Sequence, residues 1–167
     1  MTLLEFCQWL EQSPVGTGIR ESAWWYSILE TFHTLGIVLV AGTIVLVDLR
    51  LLGYGLRRVP VSQVIGYVVP ITLSGFVFMA ISGSLLLTSE AVTCYNSAFF
   101  RTKLVLLALA GLNALIFHAT VYRDAPSWDP RAATPPRARM AGLASLILWA
   151  GIVAAGRAVA YAPGYGL

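Results

Sequence analysis

The sequence predicts an all-α integral membrane protein, a bundle of four transmembrane helices preceded by a short N-terminal interfacial helix. Hydrophobic residues make up 57% of the 167 residues and charged residues only 11%, whereas charged residues are about a quarter of an average soluble domain. Four apolar runs reach the roughly 20 residues that a helix needs to cross a bilayer. The net charge of +3 is small and scattered, so we expect the lipid bilayer as a partner and no nucleic acid.

The elements are expected to form one membrane domain over residues 1–167. Within residues 2–12 the apolar side chains share one helical face and the acidic ones lie mostly opposite, which predicts an interfacial helix that ends near Pro14. The glycines at positions 16 and 18 predict a loop, and Trp24–Tyr26 forms an aromatic belt where the first span begins. The four spans are predicted at residues 24–52, 64–88, 99–122 and 138–161, with Pro70 kinking the second.

Membrane topology follows from the distribution of basic residues. The loops after the first and third spans hold seven arginines: Arg50, Arg57, Arg58, Arg123, Arg131, Arg137 and Arg139. The opposite side holds four basic residues: Arg20, Arg101, Lys103 and Arg157. Because basic loops stay in the cytoplasm, this count predicts that both termini lie outside it.

That topology places both cysteines on the outer side, Cys7 in the interfacial helix and Cys94 in the loop after the second span. An outer location permits a disulfide between them. Two unpaired thiols are an equally good interpretation, since the sequence does not bring the two residues within bonding distance.

Glu30 and His33 are the first candidates for a functional site. They are three residues apart inside the first span, so they share one helix face and lie at about one depth. Ionisable groups at that depth are costly unless they face a partner, a cavity or a cofactor. A neutral imidazole is a natural axial ligand for haem iron, and the alternative is an interhelical hydrogen bond worth about 1 kcal/mol. We favour the ligand role for His33, because both histidines of the chain lie inside predicted spans.

His118 and Met79 are candidate partner ligands. His118 shares a face of the third span with Gly111, where a macrocycle could lie against backbone, although such a notch equally suits helix packing. Met79 is flanked by Gly75 and Gly83 and matches the depth of His33, whereas His118 is offset by on the order of 10 Å. A thioether opposite an imidazole is a known haem ligation, and the alternative for a membrane methionine is gap-filling.

Three arrangements of iron ligands remain open. One haem b lies between His33 and Met79, or one lies between His33 and His118 with strongly tilted helices. Two haems per chain, one near each membrane face, would take further ligands from Met79, Met140 or a neighbouring subunit. Copper is the less favoured alternative metal.

Three other charged residues accompany these candidates. Arg157 could pair with Glu30 or bind a haem propionate, and the alternative is an arginine that snorkels to the interface. Asp48 and Arg50 lie where water begins at the end of the first span, so we expect a helix cap and a topology anchor there.

Two motifs carry a resemblance to a known family. They are ETFHTLG at Glu30–Gly36 and DLRLLG at Asp48–Gly53, accompanied by a tryptophan-rich lead-in and by Asn113 and His118 in the third span. Over most of its length the chain resembles a family of small bacterial four-helix inner-membrane proteins of unknown function. The resemblance implies a bacterial inner-membrane location, with both termini on the periplasmic side under the topology above.

The layout is more remotely similar to the copper-resistance D-type membrane domain and to the HemJ-type protoporphyrinogen oxidases, which have a histidine early in the first long span. HemJ-type proteins bind haem b. This resemblance implies that His33 is the haem ligand and Met79 a possible partner, although the sequence has no matching basic residue beside the histidine.

Four functions are compatible with these residues. The leading hypothesis is a b-type haem protein that passes electrons from a quinol or a periplasmic donor. The others are oxidation of a porphyrinogen or a quinol at such a haem, copper handling or transport through His33, Met79 and Glu30, and a structural membrane subunit without a cofactor. Small residues on several helix faces also predict a homo-oligomer.

Overall fold

A computed structural model of the protein describes residues 1–56, 58–129 and 134–161, and every element in these ranges is helical. The elements are α1 (Leu3–Glu11), α2 (Pro14–Arg20), α3 (Trp25–Leu52), α4 (Val61–Ser89), α5 (Ala91–Asn96), α6 (Ala98–Ile116), a π-helical segment (Phe117–Tyr122), α7 (Ala125–Trp128) and α8 (Pro136–Tyr161). Arg57 and Arg131, which contribute to the topology count, lie outside the described residues.

Four helices are long and apolar enough to cross a membrane, consistent with a multi-pass membrane protein. They are α3, α4, α6 with its π-helical continuation, and α8, and they agree with the four predicted spans to within a few residues. Helix α4 is the largest departure, since it begins at Val61 rather than at residue 64, and it includes Pro70 in its interior.

The four long helices do not close into a ring by direct packing. Helix α3 packs against α4 and α8, and α6 packs against α8. Within the described residues, α4 and α6 make at most a marginal contact. A central apolar cluster of Val40, Ala110, Trp149 and Ile152 joins α3, α6 and α8. The line between α4 and α6 is therefore the loosest part of the bundle.

Helices α3 and α4 approach each other closely because glycines of each helix face side chains of the other. A Cβ atom added to each glycine would meet the opposite side chain at 2.8–3.0 Å, in the pairs Gly36–Met79, Gly75–Val40 and Gly83–His33. Since the helices are antiparallel, the three pairs follow one another in register along the interface. Small residues serve this purpose in membrane helices generally.

One end of the bundle, the loop end, carries residues 53–56, 58–60, 123–129 and 134–135. Here the Asp129 carboxylate accepts hydrogen bonds from the backbone N–H groups of Val61 (2.6 Å) and Ser62 (2.9 Å), so it caps the first turn of α4 from a distant loop. The Arg50 guanidinium donates to the Val59 carbonyl (2.7 Å) and to the Thr134 hydroxyl (3.3 Å). These bonds attach the segment after α3 and the segment before α8 to the ends of α3 and α4.

The sequence predicts that Asp48 and Arg50 lie where water begins, and this prediction of their surroundings is wrong. Both residues are only 4% exposed rather than at the edge of water, because α8 covers Asp48 and the two connecting segments cover Arg50. Asp48 faces Ser145 across the α3–α8 interface. The cap of α3 is instead Gly53, whose φ of +82° is a left-handed conformation that favours glycine.

The opposite end, the capped end, consists of α1, α2 and α5. The predicted loop at positions 16 and 18 is wrong, because both glycines lie inside α2. The Ser13 hydroxyl accepts from the Gly16 N–H at 3.1 Å and Pro14 occupies the first turn, so α2 has a regular N-terminal signal. A Cβ on Gly16 would lie 2.6 Å from the Thr88 carbonyl oxygen, so the glycine permits close packing of α2 on α4.

Glu11 connects the helices of the capped end. One carboxylate oxygen accepts from the Val92 N–H in the first turn of α5 at 2.9 Å, and the other pairs with the Arg20 guanidinium at 3.2 Å. Arg20 also donates to the Ser89 carbonyl at 3.4 Å. Glu11, which belongs to the acidic face of α1, therefore contacts other helices of the protein.

Both cysteines are unpaired thiols in this structure, on the packed helices α1 and α5. Burial, followed by the charge of Glu90, raises the pKa of the Cys94 thiol to about 11, and Cys7 lies near enough to act in the same direction. Because the thiolate is the reactive form, Cys94 is poorly reactive at neutral pH.

We expect Cys94 to be alkylated about 100-fold more slowly than an unperturbed cysteine at pH 8, because on the order of 0.1% of it is thiolate against roughly a quarter. The rate should rise about tenfold per pH unit up to pH 10. The measurement is iodoacetamide labelling of the Cys7→Ser variant by mass spectrometry, with Cys94→Ser as the control. A rate that levels off below pH 9 contradicts the burial of this thiol, and a wild-type mass 2 Da low with no labelling shows a disulfide instead.

Asp129→Asn should destabilise the protein by about 1–2 kcal/mol at pH 7, because it removes a charged cap from α4. Burial alone raises the pKa of Asp129, but the hydrogen bonds from Ser62 and Val61 and the charge of Arg50 outweigh it, so the pKa lies below its ordinary value. The ionised carboxylate thus stabilises the fold above its unfolded pKa, and this contribution is lost as pH falls through the lower folded pKa.

The measurement is the thermal unfolding midpoint in detergent as a function of pH. The gap between wild type and Asp129→Asn should narrow below about pH 4. Asp124→Asn, an exposed carboxylate of the same connection, is the matched control and should change little. Equal effects of the two substitutions would rule out the proposed cap.

Candidate functional site

His33 is held at the α3–α4 interface in the half of the bundle next to the capped end. Its Nδ1 lies 2.9 Å from the Ser82 hydroxyl oxygen. Its ring packs on Gly83, where an added Cβ would lie 3.0 Å from Cε1. The imidazole is half-buried, so it is oriented both by a hydrogen bond and by packing.

The partners of Ser82 indicate which tautomer His33 adopts. The Ser82 hydroxyl donates to the Phe78 carbonyl one turn earlier at 2.9 Å, so its proton is already used. In the tautomer with hydrogen on Nδ1, the Ser82 oxygen accepts from His33 and Nε2 carries the free lone pair. Histidines that bind metals usually donate their other N–H to a fixed acceptor in this way.

Met79 lies beside His33 rather than across a gap from it. Its Cγ packs on Gly36, one turn along α3 from His33, and its Sδ would lie 3.8 Å from a Cβ at that position. The two side chains occupy consecutive notches of one interface. A haem between them would require Met79 to leave its notch, and the flanking Gly75 and Gly83 face Val40 and His33 of α3.

Lys103 of α6 lies against α8 and carries a charge that acts on His33. Its ammonium lies 3.7 Å from the position of a Cβ on Gly156 of α8, and its charge acts on both His33 and Cys94. The side chain is half-buried and forms no hydrogen bond or ion pair with any described residue. In the sequence Lys103 is one of the four basic residues opposite the arginine-rich loops, and nothing in its spacing links it to His33.

Glu30 and Arg157 are not brought together. The Arg157 guanidinium donates to the Tyr161 hydroxyl and lies 4.8 Å from the centre of that ring. Glu30 is exposed, and its charge acts on Tyr26, one turn earlier on α3. Of the two interpretations of Arg157, the structure is closer to a side chain that extends toward the end of its helix.

His118 lies far from His33, near the loop end. Its ring contacts those of Phe117 and Tyr122, with centroids 5.4 and 5.2 Å away. His118 follows Lys103 by fifteen residues on one continuous helix, and this separation is a rise of roughly 20 Å along the helix axis. Lys103 is the residue of that helix whose charge acts on His33. One iron cannot take both histidines in this arrangement.

The remaining candidates lie on open surfaces. His118 is exposed on the same helix face as Gly111, where an added Cβ would meet nothing within 4 Å. Met140 is 70% exposed. Among the described residues, no group of three or more histidine, cysteine or acidic side chains could hold a metal ion. A site built from this chain alone therefore depends on His33, Ser82 and Lys103.

No curated protein and no solved structure matches the chain. The family comparison does give a match, and it covers residues 6–162, nearly the whole chain. The copper-resistance D-type and HemJ-type resemblances remain predictions. The protein belongs to the family of unknown function DUF6644.

Proposed function

We propose that this protein binds a b-type haem through Nε2 of His33 and passes electrons within the membrane. The observation that carries the proposal is the 2.9 Å contact between His33 Nδ1 and the Ser82 hydroxyl oxygen, which itself lies 2.9 Å from the Phe78 carbonyl and so suits the tautomer with hydrogen on Nδ1. This chain of bonds leaves the Nε2 lone pair as the free coordinating atom. Such an imidazole, fixed inside a span, is suited to an axial position on haem iron.

Two further features support a haem near His33. Lys103 supplies a positive charge that acts on the imidazole and has no ion-pair partner among the described residues, which suits the carboxylate groups of a haem. The neighbouring helices α4 and α6 make at most a marginal direct contact in the described residues. A macrocycle would enter from this side more readily than through the tightly packed α3–α4 interface.

The same packing affects the choice of the second axial ligand. Met79 remains a predicted ligand, but it must leave its contact with Gly36 to reach iron bound by His33. We therefore propose His33 as the primary ligand. A second haem at His118 is a separate proposal, because that residue lies near the other end of the bundle.

We further propose that the protein resides in a bacterial inner membrane with the capped end on the periplasmic side. The loop end carries most of the described arginines: Arg50, Arg58, Arg123, Arg137 and Arg139. Basic residues at one end favour the cytoplasmic side. A donor of electrons would then meet the haem from the periplasmic half of the membrane.

His33→Ala should abolish the Soret absorption and the iron content of protein purified after expression with sufficient haem. His118→Ala, which removes the only other histidine in the sequence, is the matched control. If one haem is bound through His33, the control keeps the full signal. If a second haem is bound at His118, the control keeps about half.

Wild-type protein without a Soret band and without stoichiometric iron would end the haem proposal. Copper in place of iron would favour the copper-handling alternative. Full haem content in His33→Ala would assign the ligand to another residue.

Ser82→Ala should keep the haem but weaken its binding by about 10- to 100-fold, because the imidazole loses the acceptor that fixes its orientation. The measurement is haem transfer to a competing haem acceptor, together with the reduction potential. Ser84→Ala is the control, since its hydroxyl donates only to the Ala80 carbonyl on the exposed side of α4. Equal behaviour of the two variants would show that the Ser82 contact does not support the ligand.

A structural membrane subunit without a cofactor is the second candidate. The observation that favours it is the packing of His33 and Met79 against glycines of the opposite helices. This packing alone would explain why a histidine and a methionine occupy these positions. In that case His33→Ala lowers the unfolding temperature of a colourless wild-type protein.

A further inference from the structure

A cavity of about 550 Å³ lies at the loop end, away from His33. It is formed where the π-helical segment Phe117–Tyr122, α7 and the start of α8 meet. Its volume is within the range of small-molecule sites, which is about 300–1,000 Å³. π-helical turns are themselves frequent at functional sites. Nothing in the proposed haem function uses this cavity.

Two arginines, Arg123 and Arg137, line the cavity. Arg123 and Arg137 form no hydrogen bond or ion pair with any residue that the structure describes. Arg20 pairs with Glu11, Arg50 bonds to Val59 and Thr134, and Arg157 bonds to Tyr161. Arg58, Arg101 and Arg139 also lack a side-chain partner among the described residues, but they do not line the cavity. The two guanidinium groups at the cavity are thus available to a ligand.

The other polar groups of the lining are largely satisfied within the protein. The hydroxyls of Thr120 and Ser127 donate to backbone carbonyls at 2.6 and 2.7 Å, and the Trp128 indole donates to the Val121 carbonyl at 3.3 Å. Asp124 is the one acidic residue among the described lining residues. Two arginines against one carboxylate leave an excess of positive charge around the cavity.

We propose that this cavity binds a phosphate group through Arg123 and Arg137. Guanidinium groups bind phosphate oxygens through paired, charge-assisted hydrogen bonds. The cavity lies where the third span ends and the fourth begins, at the level of lipid headgroups, and basic pockets between spans bind anionic headgroups there. The source is either the headgroup of an anionic phospholipid or a free phosphate compound.

The test uses the full-length wild-type protein in neutral detergent. Native mass spectrometry measures binding of phosphatidylglycerol, of phosphatidylcholine with the same acyl chains, and of inorganic phosphate. Phosphatidylglycerol should bind at least about tenfold more tightly than phosphatidylcholine, because the choline cation opposes the two arginines. Competition by inorganic phosphate would support the site with a free phosphate compound as ligand, and its absence would support the site with a lipid ligand.

The double variant Arg123→Gln/Arg137→Gln should lose this preference, and Arg123→Lys/Arg137→Lys should keep part of it because charge remains without the planar fork. Arg139→Gln is the matched control, an exposed arginine of α8 that does not line the cavity. The proposal is overturned if Arg139→Gln weakens binding as much as the double variant, or if wild-type protein shows no preference for phosphatidylglycerol and no binding of phosphate. Unchanged unfolding temperatures of the variants separate loss of the site from loss of the fold.

Discussion

The close approach of α3 to α4 is the constraint on which the rest of the structure depends. In lipid the hydrophobic effect adds little between helices, so packing and buried hydrogen bonds hold them together. Glycines on each helix admit His33, Met79 and Val40 of the other, and the Ser82 hydroxyl adds a bond to the imidazole. The contact that holds the helix pair is thus also the contact that orients the candidate ligand.

Both ends of the bundle use the same device, a carboxylate that caps a helix far away in sequence. Asp129 accepts from the first amides of α4 at the loop end, and Glu11 accepts from the first turn of α5 at the capped end. The first amides of a helix have no partner within it, and in a membrane protein water cannot always supply one. Each carboxylate therefore joins two segments that the long helices alone would leave separate.

The four spans could be predicted because length and hydropathy are local properties of the sequence. The short helices were harder to predict from the sequence. Gly16 suggests a loop, but in the folded chain it permits a close contact with Thr88. At the site, His33 stood out as an ionisable residue inside a span. Ser82 and Lys103 did not stand out, because their positions relative to His33 depend on how the helices pack against one another. The side chains that Gly75 and Gly83 face, Val40 and His33, likewise follow only from the way α3 and α4 pack.

The bridge made by Glu11 has a consequence for how the chain assembles during synthesis. Glu11 accepts from Val92, and its ion-pair partner Arg20 donates to Ser89; both of these residues are synthesised only at or after the end of the second long apolar helix. These bonds can therefore form only once both long helices have been made, and only then does this end of the protein close.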